Sequence, residues 1–315
     1  MNGRGAIYRL ALAWFLSGTG SGMAAIALST DIYRRTGSAV WLSATFFLTF
    51  GIAGLLNPIA GLIVDRFDRQ RVMVTSDVAG AIVWSILLFG QSPAWLLALG
   101  FIASVVSRPF GIASNAAVPN LVGEDDLAWA NGTLATAGNT SRILGPVLGG
   151  AIAGLLNARY AYVANAASFI ASAVLVASLR SRFQAARDEV IEPGTMWTGF
   201  GVIFRDPVLR SLTIVWTVLY LTIDVALVAD LPISRSFGWG AFGFGLINAF
   251  FGAGALVGAV LARRLKLRME AWACSSRSVG SRSATGWSRS RPCSPRSLSD
   301  SPSRQGPTPW ARSRD

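Results

Sequence analysis

Apolar residues run in blocks too long for the strands or amphipathic helices of a water-soluble domain, and short polar stretches separate them. A helix crosses a bilayer with about 20 mostly apolar residues. The pattern predicts eight such spans: 7–29, 39–63, 72–91, 94–118, 130–156, 160–179, 208–231 and 241–262. The first block is too long for a cleavable leader, and seven more follow it. The fold class expected is an all-α polytopic membrane protein.

The polar stretches carry an orientation. With a cytoplasmic N-terminus, the inner loops hold fourteen basic residues: Arg4, Arg9, Arg66, Arg69, Arg71, Arg180, Arg182, Arg187, Arg205, Arg210, Arg263, Arg264, Lys266 and Arg268. The outer loops hold Arg34, Arg35, Arg159 and Arg235. This asymmetry is the positive-inside pattern of a plasma (inner) membrane protein. The longest connection, Arg180 to Asp206, falls on the cytoplasmic side and follows six spans. The expected organisation is a six-helix bundle over 1–180, a linker over 181–207, two further helices over 208–268 and a tail over 269–315. The run Glu124-Asp125-Asp126 opens the fifth span, where carboxylates suit the positive helix end and would serve as caps.

Composition narrows the chemistry. Charged residues make up 14% of the chain, against about 25% in soluble domains, and the 33 glycines suit close helix packing. Of the net charge of +12, the tail from Ala271 supplies +6, with eight arginines against Asp300 and Asp315; the remaining positive charge sits in loops beside apolar spans, which reads as topology and not as a nucleic-acid surface. There is no histidine, which removes His-based metal sites and Ser-His-Asp chemistry. With no nucleophile constellation either, an integral-membrane enzyme is disfavoured. No phosphate-binding loop of the G-x-x-x-x-G-K-[ST] type occurs. No cofactor or metal is expected. The glycines of Gly18-Thr19-Gly20-Ser21-Gly22 lie inside an apolar run with no preceding strand and are read as helix packing. From Ala271 onward the character changes: 45 residues contain thirteen serines, eight arginines, five prolines and both cysteines, without Ile, Phe or Tyr. This tail is expected to be disordered, the product of an altered reading frame or a basic tail that meets anionic lipid.

Between spans two and three lies Gly61-Leu62-Ile63-Val64-Asp65-Arg66-Phe67-Asp68-Arg69-Gln70-Arg71. It resembles the G-x-x-x-D-R-x-[GD]-R-[KR] signature of the major facilitator superfamily of secondary transporters. On that resemblance Gly61 lets a neighbouring helix approach, and Asp65 caps a helix start and pairs with Arg66, Arg69 and Arg71 in a conformational latch. Arg108-Pro109-Phe110-Gly111 in span four is similar to the family's buried arginine motif, one residue short. Arg142-Ile143-Leu144-Gly145-Pro146-Val147-Leu148-Gly149-Gly150 in span five resembles the G-P-x-x-G-G element of its exporters, with Pro146 bending the helix and Gly145, Gly149 and Gly150 packing tightly. Arg35-Thr36-Gly37-Ser38-Ala39, Phe204-Arg205-Asp206-Pro207-Val208-Leu209-Arg210, Gly243-Phe244-Gly245-Leu246 and the glycines from Gly252 to Gly258 add likeness to the subgroup of siderophore exporters and macrolide efflux proteins.

The resemblance implies proton-coupled export of a drug-like or siderophore-like small molecule by alternating access, with protons, the substrate and the bilayer as partners. The alternatives are a non-transporting product or an uptake carrier of the same superfamily. The buried charges expected to matter are Arg108, Arg142 and Asp224, the last either a proton carrier or paired structurally with an arginine. Asp31, Asp77 and Asp230 are expected nearer the interfaces. Trp14, Phe47 and Trp84 line a pocket or pack.

Overall fold

The computed structural model describes residues 3–90, 92–179, 201, 204–254 and 257–258. The tail from 269 and nearly all of the linker lie outside these residues. The described part is helical, without strands. Its helices are α1 Gly3–Thr36, α2 Ala39–Leu55, α3 Asn57–Arg66, α4 Arg69–Leu87, α5 Pro93–Leu121, α6 Leu127–Leu155, α7 Ala158–Ala177, α8 Pro207–Ser236 and α9 Gly240–Gly254. Each predicted span corresponds to a helix over the described residues, except that the second is split into α2 and α3; the end of the eighth, from 259, lies outside them.

That split has two local causes. Phe47–Ile52 forms a π-helical turn within α2. At Leu56 the chain then turns by 45°, and Pro58 sits in the first turn of α3, where a missing N–H costs nothing. Helices α1, α5 and α7 and the bent α2–α3 pair are long and apolar enough to cross a membrane. Helices α4 and α6 are less apolar because they carry Ser76 and Asp77, or Asn131, Asn139 and Arg142. Those polar groups face the bundle interior or a cavity, where they avoid lipid.

Loop chemistry fixes the connections. Gly37 adopts φ +63°, a left-handed conformation that favours glycine, and its N–H bonds the Tyr33 carbonyl at 2.8 Å. Ser38 then caps α2 through the Val40 N–H. The Arg35-Thr36-Gly37-Ser38-Ala39 segment is thus a helix stop followed at once by a helix start. Asp206 caps α8 by accepting from the Val208 and Leu209 N–H groups at 2.8 and 3.2 Å, and Pro207 follows.

Helix α1 is central: it packs along α6 and α7 and touches α5. Two apolar clusters fill the bundle. One gathers Ile7, Leu10, Met73, Phe110 and Val118 near the N-terminal end of α1. The other gathers Leu28, Ile32, Trp84, Tyr162 and Phe169 toward its far end. A smaller cluster of Ile26, Leu42, Phe46, Leu231 and Phe244 joins α1 and α2 to α8 and α9.

The acidic run before α6 does not cap it as expected. Glu124–Asp126 forms a 3-10 turn, and Asp126 makes no side-chain cap. Its carboxylate accepts from Arg4 at 2.9 Å instead. The basic group at the start of α1 is the stronger partner, because it offers a charge-assisted bond.

Candidate functional site

Two cavities open beside α1. The smaller, about 200 Å³, reaches Trp84, Ser104 and Arg108. The larger, about 470 Å³, is bounded by Trp14, Asn115, Asn131, Asn139 and Arg142. Ser21, Ala25 and Phe50 line both, so the two adjoin around the middle of α1.

Arg108 projects from α5, and its Nη2 donates to the Thr49 carbonyl at 2.9 Å. Thr49 lies inside the π turn of α2. Such a turn departs from the regular i→i−4 ladder and recurs at functional sites. Phe50, in the same turn, stacks on Phe46 at 5.9 Å and forms part of the shared wall.

Arg142 was expected to be buried, but its side chain is exposed and faces the larger cavity. The reason lies in the glycines one turn further on. A Cβ at Gly145 would stand 2.8 Å from the Thr19 carbonyl and 3.0 Å from Gly22 Cα. A Cβ at Gly150 would stand 2.6 Å from the Ala241 carbonyl. Gly145 and Gly149 thereby seat α6 on α1, and Gly150 seats it on α9, leaving the Arg142 side chain to the remaining, open face. Gly145, Pro146, Gly149 and Gly150 are all buried. Helix α6 continues through Pro146 without a break in its helical run. Gly18, Gly20 and Gly22 likewise abut Ser141, Asn165 and Pro146, as the helix-packing reading of that run expected.

The loop between α3 and α4 departs from expectation in two places. A Cβ at Gly61 would meet nothing within 4 Å, so this glycine makes no close helix approach here. Asp65 lies near the end of α3 and is exposed. The cap of α4 is Asp68, which accepts from the Arg71 N–H at 2.9 Å, because Asp68 is the residue directly before the first helical turn. Arg66 and Arg71 are exposed. Arg69 donates to the Ala116 carbonyl at 2.9 Å, and Gln70 donates to the Val176 and Leu179 carbonyls, both at 2.8 Å. Two side chains of the first turn of α4 therefore tie it to α5 and to the end of α7.

The acids also sit differently from their linear depth. Asp77 was expected near the interface but is 1% exposed, facing Ser17 of α1 and Ser172 of α7. Those hydroxyls approach without closing a hydrogen bond, and both carboxyl oxygens are unpartnered. Asp31 is equally buried. It takes a two-bond grip from Arg35 at 3.0 Å, a bond from Arg34 at 3.1 Å and the Tyr162 hydroxyl at 3.4 Å. Asp230 is half-buried. Asp224 falls on α8, and its side chain lies outside the described residues. Of the aromatics, Trp14 and Trp84 line the cavities, whereas Phe47 is exposed.

Residues 10–284 match the sequence model of the Major Facilitator Superfamily. Among curated proteins, macrolide efflux protein A of Streptococcus pyogenes is 24% identical over 246 residues, 75% of this chain and 60% of that protein. The putative bacilysin exporter BacE of Bacillus subtilis is 24% identical over 70% of the chain and 57% of its own length. Multidrug resistance protein MdtG of Proteus mirabilis is 30% identical over 41% of the chain and 32% of its own length. The chain thus spans about 60% or less of these relatives. A bacterial homologue of the human lysosomal transporter Spinster, in an inward-facing conformation, superposes with a TM-score of 0.60 at 13% identity, covering 85% of this chain and 63% of that one.

Proposed function

The chain belongs to the Major Facilitator Superfamily, and on that premise we propose that it is built as a secondary transporter that expels a small amphiphilic molecule by alternating access. The observation that carries this reading is the adjoining pair of cavities beside α1, walled by aromatic, amide and guanidinium groups. Binding sites of such carriers lie near the bilayer midplane between helices. Export in place of uptake is supported by the relatives named as efflux or exporter proteins and by the buried Gly-Pro-x-x-Gly-Gly element of α6.

The energy source in this reading is a proton gradient. Asp77 joins Asp224 as a candidate carrier, since it is a buried carboxyl with neither a cation nor a hydrogen-bond donor on its oxygens. Arg66, Arg69 and Arg71 with Asp65 would form the cytoplasmic latch, and the N-terminus would be cytoplasmic. A cysteine placed beside Arg66 is expected to react only with reagent admitted to the cytoplasm; labelling from outside intact cells would invert the orientation.

The test of transport is flux. The purified chain in liposomes, given an imposed proton gradient, is expected to move amphiphilic solutes against their own gradient. Flux in the direction of cell entry would indicate an uptake carrier. Flux that ignores the gradient would remove proton coupling.

A further inference from the structure

The adjoining cavities carry a charge of one sign. Arg108 lines the smaller and Arg142 the larger, and no Asp or Glu lines either among the described residues. Arg108 spends one donor on the Thr49 carbonyl. Arg142 is exposed and makes no hydrogen bond or salt bridge among the described residues, so its guanidinium is available to the larger cavity. The same cavity is lined by the amides of Asn115, Asn131 and Asn139 and by the ring of Trp14.

A guanidinium offers a planar fork of donors that matches a carboxylate, sulfonate or phosphate in two parallel bonds. Where the wall is apolar, attraction for an anion and repulsion of a cation are both stronger than in water. The apolar and aromatic share of the wall, Trp14, Ala25, Leu134 and Phe50, suits an organic body and not a bare inorganic ion. A volume of about 470 Å³ lies in the range of about 300–1,000 Å³ that takes a small organic ligand.

We propose that the cavity beside α1 selects an amphiphilic organic anion, its acidic head bound by Arg142 with the neighbouring amides and its apolar body against Trp14 and Phe50. The transport reading is needed for the anion to be carried, though not for it to be bound. The substrate class is therefore set by charge: an organic acid is accepted and an organic amine of the same shape is refused.

Three probes of one shape test this: naphthylacetate, the neutral naphthylacetamide and the cation naphthylethylammonium, each titrated into the purified full chain by calorimetry. Naphthylacetate is expected to bind about tenfold tighter than the amide, as loss of a charge-assisted bond implies, and the amine is expected to bind weakest. Arg142→Gln is expected to lower naphthylacetate affinity about tenfold and to leave the amide unchanged. Arg142→Lys keeps the charge and should keep the order anion before amide. Gel filtration of both variants checks that they remain folded. An amine that binds as tightly as the acid, an acid that does not bind, or an acid indifferent to Arg142→Gln each overturns the proposal. Acid binding without gradient-driven flux in liposomes would keep the anion site and remove the transport reading.

Discussion

The Arg108 guanidinium on α5 holds the Thr49 carbonyl on α2 at 2.9 Å, and Thr49 stands inside a π-helical turn. A side chain from one helix thus satisfies a backbone group of another at the point where the second departs from regular geometry. Arg108→Gln shortens the side chain and removes the charge. The loss of a charged hydrogen bond is worth roughly 1.5–3 kcal/mol, and the variant should unfold earlier in detergent by that order. Arg108→Lys keeps one donor and should recover part of it. Equal thermal stability of Arg108→Gln and the parent would show that the contact carries no weight.

The glycines of α6 and the glycine of the α3–α4 loop motif predict opposite outcomes. A Cβ at Gly145 meets the backbone of α1 at both Thr19 and Gly22, and backbone cannot move aside as a flexible side chain can. Gly145→Ala is expected to cost about 1–3 kcal/mol by overpacking. Gly61 has open space on the same measure and lies within α3, where alanine is favoured over glycine by about 0.5–1 kcal/mol. Gly61→Ala should leave stability unchanged or raised. Chemical denaturation of the two variants side by side would read the contrast, and a loss at Gly61 as large as that at Gly145 would reverse the packing argument.

The reasons these two glycines differ show how far the sequence could be read. Spans were legible because the apolar length needed to cross a bilayer is a physical threshold, and the Gly-Pro-x-x-Gly-Gly spacing marks a close approach without naming the partner helix. The turn at Gly37 was visible as a motif, though its left-handed φ was not. Facing was the illegible part. Asp77 lies nine residues along α4, counting from Arg69, which suggests an interface, yet its side chain points between Ser17 and Ser172 and is sealed there. Arg142 is the opposite case: it lies deep along its helix, yet its side chain is exposed. The π turn at Phe47–Ile52 carries no residue signal of its own; only Pro58, just beyond it, marked the neighbourhood.

Asp77 yields a prediction that separates fold from coupling. Its carboxyl is buried with no cation among its partners, so an amide of nearly the same shape should fit. Asp77→Asn is expected to fold with stability within about 1 kcal/mol of the parent. In a relative carrying the equivalent acid, the same change should abolish the dependence of efflux on a proton gradient. Gradient-driven efflux at the parental rate in that variant would remove Asp77 from the coupling path.

The Arg4–Asp126 pair supplies a pH dependence whose sign is fixed. The two side chains meet at 2.9 Å, Arg4 ahead of the first predicted span, 7–29, and Asp126 in the turn before α6. The hydrogen bond from Arg4, and then its charge, hold the Asp126 carboxyl below the usual carboxylate range. A carboxyl whose value is lower folded than unfolded adds stability above its unfolded value, and that contribution is lost as the pH falls through its folded value. The pair is largely exposed, so the effect is small and screened by salt. Comparing Asp126→Asn with the parent isolates it. The gap in melting temperature should be open at neutral pH and low ionic strength, narrow as the solution is acidified through the carboxylate range, and shrink with added salt. A gap that stays constant from neutral to acid would mean that Asp126 acts through packing at the start of α6 and not through its charge.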